Sequence, residues 1–276
     1  MVEEVMKVIA AQHNIKKFAS FDEYKKYYSE KISSAKHKGA ELYVLPEYSG
    51  LELIFTAAGL QEQIEDMQKL LPEYIEFWKH LAHVNAMILQ PGSILEGKGE
   101  YYNRAYIFFP NKEPDFQDKM QLTEYEKKLG FVKKGTELKI FEEIFAINIC
   151  YDSEFPEYAK SLAHKGVKVL LVPSCTETMH GLTRVQISCR ALAIQNQFYV
   201  INAASVGYSE ACDICDVSTG ISGIYGPSDA GFPQDGIINH GSLNRELEVG
   251  AELNLTKIDS IRRHGTTHNF EDGKTV

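Results

Sequence analysis

Three abrupt strand-to-loop breaks in the chain each carry a reactive side chain. Glu47 follows the strand Glu41-Leu42-Tyr43-Val44-Leu45 and Pro46. Lys119 follows the loop Pro114-Asp115-Phe116-Gln117-Asp118, and Cys150 ends the strand that begins near Phe141. In α/β sheets, functional groups gather beyond the strand C-termini, where a rigid scaffold positions the loops. The attacking species of a cysteine is the thiolate, so a catalytic Cys150 needs a base or a cation beside it. Glu47 is the right type for the base, and Lys119 for holding a developing oxyanion. Taken singly, each has a plainer reading: a solvated or capping glutamate, a surface lysine, and a cysteine buried as a small hydrophobe.

The elements that must position these residues read as strand, helix, strand, helix, then a strand-rich run. Val5–Gln12 reads as a strand. Ser20-Phe21-Asp22-Glu23 is a capping box opening a helix whose apolar face is Phe21, Tyr24, Tyr28, Ile32 and Ala35. The 60–83 stretch is helical but broken at Pro72 into two short helices. Residues 85–95 and 104–109 read as strands around a charged hairpin tip, Glu96-Gly97-Lys98-Gly99-Glu100. After Cys150, Pro156 suits the first turn of a helix. A buried strand, 167–172, a helix from about 182 to 196 and a strand, 198–203, follow. With no repeat and no Pro/Ser-rich linker, residues 1–276 read as one domain.

As an ordered set, these stretches resemble the nitrilase (carbon–nitrogen hydrolase) superfamily, on its amidase side. Leu45-Pro46-Glu47, the lysine before Leu122, and Ile149-Cys150-Tyr151-Asp152 with Phe155-Pro156-Glu157 match its three motifs in order. Val172-Pro173-Ser174, the run Arg190 to Gln197, Val200-Ile201-Asn202-Ala203 and the closing 253–262 extend the similarity over nearly the whole chain. The resemblance implies a four-layer α-β-β-α sandwich that hydrolyses a small amide through a cysteine thioester without a cofactor. It implies that Cys150 is the nucleophile, Glu47 the base and Lys119 the oxyanion ligand, with a backbone amide after Cys150 as second donor and a helix dipole behind it. A second family glutamate anchors the lysine; Glu126 is the choice and Glu124 the alternative. The resemblance also implies a homodimer or larger assembly.

Departures from the family pattern bear on the substrate. Gln121 stands where many members have His, and Gln195 where the family has Glu. Members that handle carboxylate-bearing amides often carry Arg at the position of Glu154. Glu154 and Glu177 therefore favour a neutral or amine-bearing amide, unless Glu154 caps the helix ahead of Pro156. Tyr48, Tyr151 and Thr176 complete the expected substrate contacts, on loops such as 48–56, 125–134 and 176–182. Tyr151-Asp152 after the cysteine fits amidase branches better than nitrilases proper, which usually have Trp-Glu there. A catalytically idle sandwich acting as a ligand sensor or scaffold is the non-enzymatic alternative.

Composition sets the outer limits. The chain has 276 residues, 29 Lys plus Arg against 38 Asp plus Glu (net −9), 44% hydrophobic and 24% charged residues. That is a globular composition whose acidity argues against nucleic-acid and anionic-membrane partners. Met1-Val2-Glu3-Glu4 carries acids where a secretory signal carries bases, and the five cysteines are an odd, scattered set. Both point to reduced thiols in a cytoplasmic protein. Cys212-Asp213-Ile214-Cys215 is a CxxC, but a structural zinc needs a second ligand pair and a redox CxxC should open a helix after a strand. No metal ligand set is expected.

Overall fold

Val5–Gln12 shows how a period-2 strand divides the core between two layers. Val8 and Ala10 pack into an apolar cluster with Leu42, Val44, Leu170 and Val200, whereas Ile9 and Ala11 join Tyr24, Tyr28, Ile32 and Trp78 on the other side. Successive strand side chains point to opposite faces, so one strand serves both clusters. The computed structural model describes residues 5–55 and 59–275. Residues 1–4, which carry the acidic N-terminal pattern, 56–58, where the predicted pocket loop 48–56 ends, and 276 lie outside the described residues.

The first sheet runs in the order Leu247–Asn254, Val5–Gln12, Leu42–Val44, Ile88–Gln90, antiparallel at the first pairing and parallel at the other two. The second is Ile237–His240, Gly223–Tyr225, Tyr199–Ala204, Val169–Ser174, Phe145–Ile147, with its last three strands parallel. Helices Phe21–His37 and Leu71–Asn85 lay Tyr24, Tyr28, Tyr74 and Trp78 on the first sheet. Helices Pro156–His164 and Met179–Asn196 bring Leu162, Val185, Cys189 and Leu192 onto the second. The order helix, sheet, sheet, helix is the expected four-layer α-β-β-α sandwich. Each large apolar side chain buried this way contributes about 1.5–3 kcal/mol. The five apolar residues predicted for the first helix are its buried ones.

A further antiparallel set, Ile94–Lys98, Glu100–Ile107 and Asp115–Asp118, is joined to the first sheet by the Leu89–Phe108 bridge. Here the sequence expectation changes: the segment before Lys119 is a strand, not a loop. Asp115–Asp118 is too short to display a period, and its pairing partner supplies the order, with Arg104 opposite Asp118 and its guanidinium forked onto that carboxylate at 2.7 and 3.0 Å. The 85–95 stretch likewise splits into Ile88–Gln90 and Ile94–Lys98. Gly92 makes the turn between them with φ +73°, where a Cβ would lie 1.9 Å from the Pro46 carbonyl oxygen. Glycine is therefore needed for this turn to rest against the backbone that presents Glu47. Only Phe145–Ile147 of the 141–149 stretch is strand, because Glu142 and Glu143 turn the chain at φ 49° and 61°.

Candidate active site

Glu47 lies just past strand Leu42–Val44 and is 1% exposed. Its Oε1 accepts from Lys119 Nζ at 2.8 Å and Asn103 Nδ2 at 2.8 Å, and its Oε2 accepts from the Cys175 backbone N–H at 3.0 Å. The Cys150 thiol is near enough for the two groups to act on each other's proton affinity. Burial raises the Glu47 proton affinity and Glu126 adds to it, against the opposing pull of Lys119. A buried carboxylate so balanced can exchange a proton without leaving a lone charge behind.

Lys119, predicted after a loop, follows the strand Asp115–Asp118 and is also 1% exposed. Its ammonium donates to Glu47 and to both oxygens of Glu126, at 2.9 and 2.8 Å. Burial works against its charge, but the carboxylates of Glu47 and Glu126 outweigh that and hold the ammonium well above the ordinary lysine range. Glu126 is the third residue of helix Glu124–Leu129 and closes a capping box with Thr123, whose N–H and hydroxyl donate to Oε2 at 2.8 and 2.9 Å. Tyr48 OH and Asn103 Nδ2 donate to Oε1 at 2.7 and 3.1 Å. Burial pushes this carboxyl up, yet Lys119, Tyr48 and Thr123 bring it down to about 2. Glu124 points away and pairs with Lys127 at the surface.

Cys150 follows strand Phe145–Ile147 at φ 48°, and its Sγ lies 3.5 Å from the Cys175 carbonyl oxygen. Left-handed backbone is uncommon for a non-glycine residue, and such strain clusters at functional sites. Burial and the Glu47 carboxylate raise the thiol well above its ordinary range, against Lys119. The resting group is therefore a neutral thiol, with a base and a cation in place. The helix that follows it starts at Pro156, as the proline predicts, and not directly behind the sulfur. Cys150–Glu154 is a single 3-10 turn, and the α-helix starts at Pro156, so little helix dipole reaches the sulfur.

The set opens into a cleft of about 470 Å³. Tyr48, Tyr151, Glu154, Thr176 and Glu177, the predicted substrate contacts, all line it. Tyr48 also serves Glu126, and Thr176 donates its hydroxyl to the Thr219 carbonyl at 2.7 Å. Glu154 makes no side-chain cap to the following helix and instead pairs with Arg184 at 3.2 Å. Glu154 therefore faces the cleft with a guanidinium beside it. Sequence reasoning did not assign Asn103, Arg184, Asp213, Ile214 or Asp216 to the site. Asn103 had a usable signal, being a polar residue on the buried face of strand Glu100–Ile107, between Tyr101 and Ala105. Among the described residues, no group of three His, Cys, Asp or Glu side chains could hold a metal, and no helix is long and apolar enough to cross a membrane.

Residues 7–228 match the family described as carbon-nitrogen hydrolase. The chain is 29% identical over 276 residues to the probable hydrolase YhcX of Bacillus subtilis, covering 97% of this chain and 53% of that protein, about half its length. It is 27% identical over 247 residues to omega-amidase NIT2-B of Xenopus laevis, covering 84% and 83%. Among solved structures, Saccharomyces cerevisiae Nit3, a member of branch 10 of the nitrilase superfamily, has a TM-score of 0.74 at 23% identity, covering 94% of this chain and 93% of its own. That last likeness is one of fold.

Proposed function

The chain belongs to the carbon-nitrogen hydrolase family of the nitrilase superfamily, and from that premise we propose that it hydrolyses a small amide through a thioester on Cys150. One observation carries the reading: a buried thiol that lines the cleft is coupled to a buried carboxylate, Glu47, that shares the Lys119 ammonium with Glu126. Moving the thiol proton to Glu47 leaves the net charge of this set unchanged, so thiolate forms without giving up a proton to solvent. Sulfur then attacks the amide carbon. The oxyanion is held by Lys119 Nζ and by the backbone N–H of Tyr151, which lies in the first turn after the nucleophile and lacks a helical acceptor there. Glu47 returns its proton to the departing nitrogen as the C–N bond breaks. Water enters, Glu47 takes its proton, and hydroxide attack on the thioester releases the acid and restores the thiol.

The outer cleft favours an uncharged or amine-bearing substrate. Beyond the ion-paired set, its walls carry Glu154, Glu177, Asp213 and Asp216 against one guanidinium, Arg184, which Glu154 already engages. An anionic end would meet uncompensated carboxylates, whereas an ammonium would be welcomed by them and by the rings of Tyr125 and Tyr151. The test is mass spectrometry of the protein incubated with paired amides, nitriles and amine- or acid-bearing amides. An acyl adduct on Cys150 from amides, lost in Cys150→Ala, is expected. Turnover of nitriles in preference to their amides, or none with any amide, overturns the reading.

A further inference from the structure

Lys119 and Cys150 stand on different sheets. Lys119 follows the strand Asp115–Asp118 of the Ile94–Asp118 set, and Cys150 follows Phe145–Ile147 of the second sheet. Among the described residues no strand pairing joins these two sheets directly. The lysine backbone is fixed within its own sheet, its N–H donating to the Asn103 carbonyl at 2.9 Å and its carbonyl accepting from Gly135 at 2.7 Å. Something else must set it against the nucleophile, because two oxyanion donors are useful only if both converge on one atom.

Asp152 makes that joint. It is fully buried, and its two oxygens accept backbone N–H groups from both sides. Oδ1 takes Gln121 at 2.7 Å and Met120 at 3.1 Å, just after Lys119, while Oδ2 takes Ile149 at 3.1 Å, just before Cys150, and Met120 at 3.2 Å. An ionised carboxylate is acceptor-only on both oxygens, which this arrangement requires. An amide could keep one side only, since its NH₂ would face a backbone N–H on the other.

We propose that Asp152 is a positioning residue for the acyl-transfer step, holding the lysine and the nucleophile turn in one register so that Lys119 Nζ and the Tyr151 N–H meet at the same oxyanion. The inference rests on the thioester reading above. It also carries a pH signature. Burial raises this carboxyl to about 7, opposed by the Lys119 ammonium and by the N–H groups of Gln121, Met120 and Ile149. Lys119 is the charged group that faces it. Protonation places an O–H where an acceptor is needed, so the joint holds above about pH 7 and weakens below it.

The experiment compares two reactions of Cys150 in the full chain, acylation by p-nitrophenyl acetate and alkylation by iodoacetamide, with Cys150→Ala as background. Both need the thiolate, and hence Glu47, but only acylation passes through an oxyanion. In Asp152→Asn, acylation should fall on the order of 10²-fold while alkylation stays within about threefold, as a misplacement of about 1 Å costs that much in a positioned reaction. Asp152→Glu should recover part of the loss. In the wild type, the ratio of acylation to alkylation should drop as pH falls through about 7, and this arm stands even if Asp152→Asn fails to fold. Equal loss of both reactions in a folded variant, unchanged acylation, or a flat wild-type ratio overturns the proposal. A wild type that is alkylated but never acylated overturns the thioester reading on which it rests.

Discussion

Cys150 and the Cys212–Cys215 pair are all buried thiols, and in all three burial raises the proton affinity, to about 11 for Cys212 and well above the ordinary range for Cys150 and Cys215. Neither burial nor proton affinity separates them. Their surroundings do. Cys150 faces a carboxylate that can take its proton and an ammonium that favours its anion. Cys212 and Cys215 flank a 3-10 turn within the aromatic cluster of the first sheet, and the charges that bear on Cys212, Asp213 and Asp216, only oppose its ionisation. A thiol becomes a nucleophile by having a route for its proton and a partner for its charge. The pair is buried with Ala211 in a segment whose Asp213, Ile214, Asp216 and Val217 line the cleft.

The contrast can be broken by substitution. Cys150→Ala should lower amide turnover by at least about 10³-fold, while Cys212→Ala should leave it within about twofold. Comparable losses in both would erase the distinction. Lys119→Met comes next: removing the oxyanion donor should reduce kcat by about 10²–10³-fold. It also leaves Glu47 and Glu126 facing each other in the interior, and denaturant titration should find about 3–5 kcal/mol less stability. Charge at the rim should matter less. Glu177→Lys should shift the ratio of kcat/KM for amine-bearing over acid-bearing amides by about tenfold toward the acid. An unmoved ratio would remove Glu177 from the substrate's surroundings.

Two smaller effects concern stability. Cys212→Ala should reduce unfolding free energy by about 1–2 kcal/mol, through the cavity left by its side chain. Glu126 titrates at about 2 in the fold, below its ordinary 4.5. Its contribution is therefore present above about pH 4.5 and lost as pH falls toward about 2. Acid unfolding of Glu126→Gln should be correspondingly flatter than wild type over that range, and an unchanged slope would show that this carboxylate is not held by its partners.

Much of the site was legible as residue types at strand ends. Glu47 and Cys150 were visible because each stands where an apolar run stops and Lys119 because it follows a loop in the family's order, and Glu126 carries a local signal as well, as the fourth residue of the Thr123 capping box. Asp152 had none beyond standing two residues after the cysteine. Its three N–H donors come from segments that only the fold brings together. Glu154 lines the cleft, but its partner Arg184 stands thirty residues on, so that pairing was not legible beside the nucleophile motif.

Strand alternation, helical faces and capping boxes are written within a few residues of one another, so single elements and reactive residue types are legible along the chain, whereas the four layers were implied by the family resemblance. The tertiary structure decided which charges meet. Glu47 gains its partners from Asn103, Lys119 and Cys175, at separations of 56, 72 and 128 residues. Proton affinity in a buried site is set by desolvation and by the charges within a few ångströms, and no short window of sequence contains either.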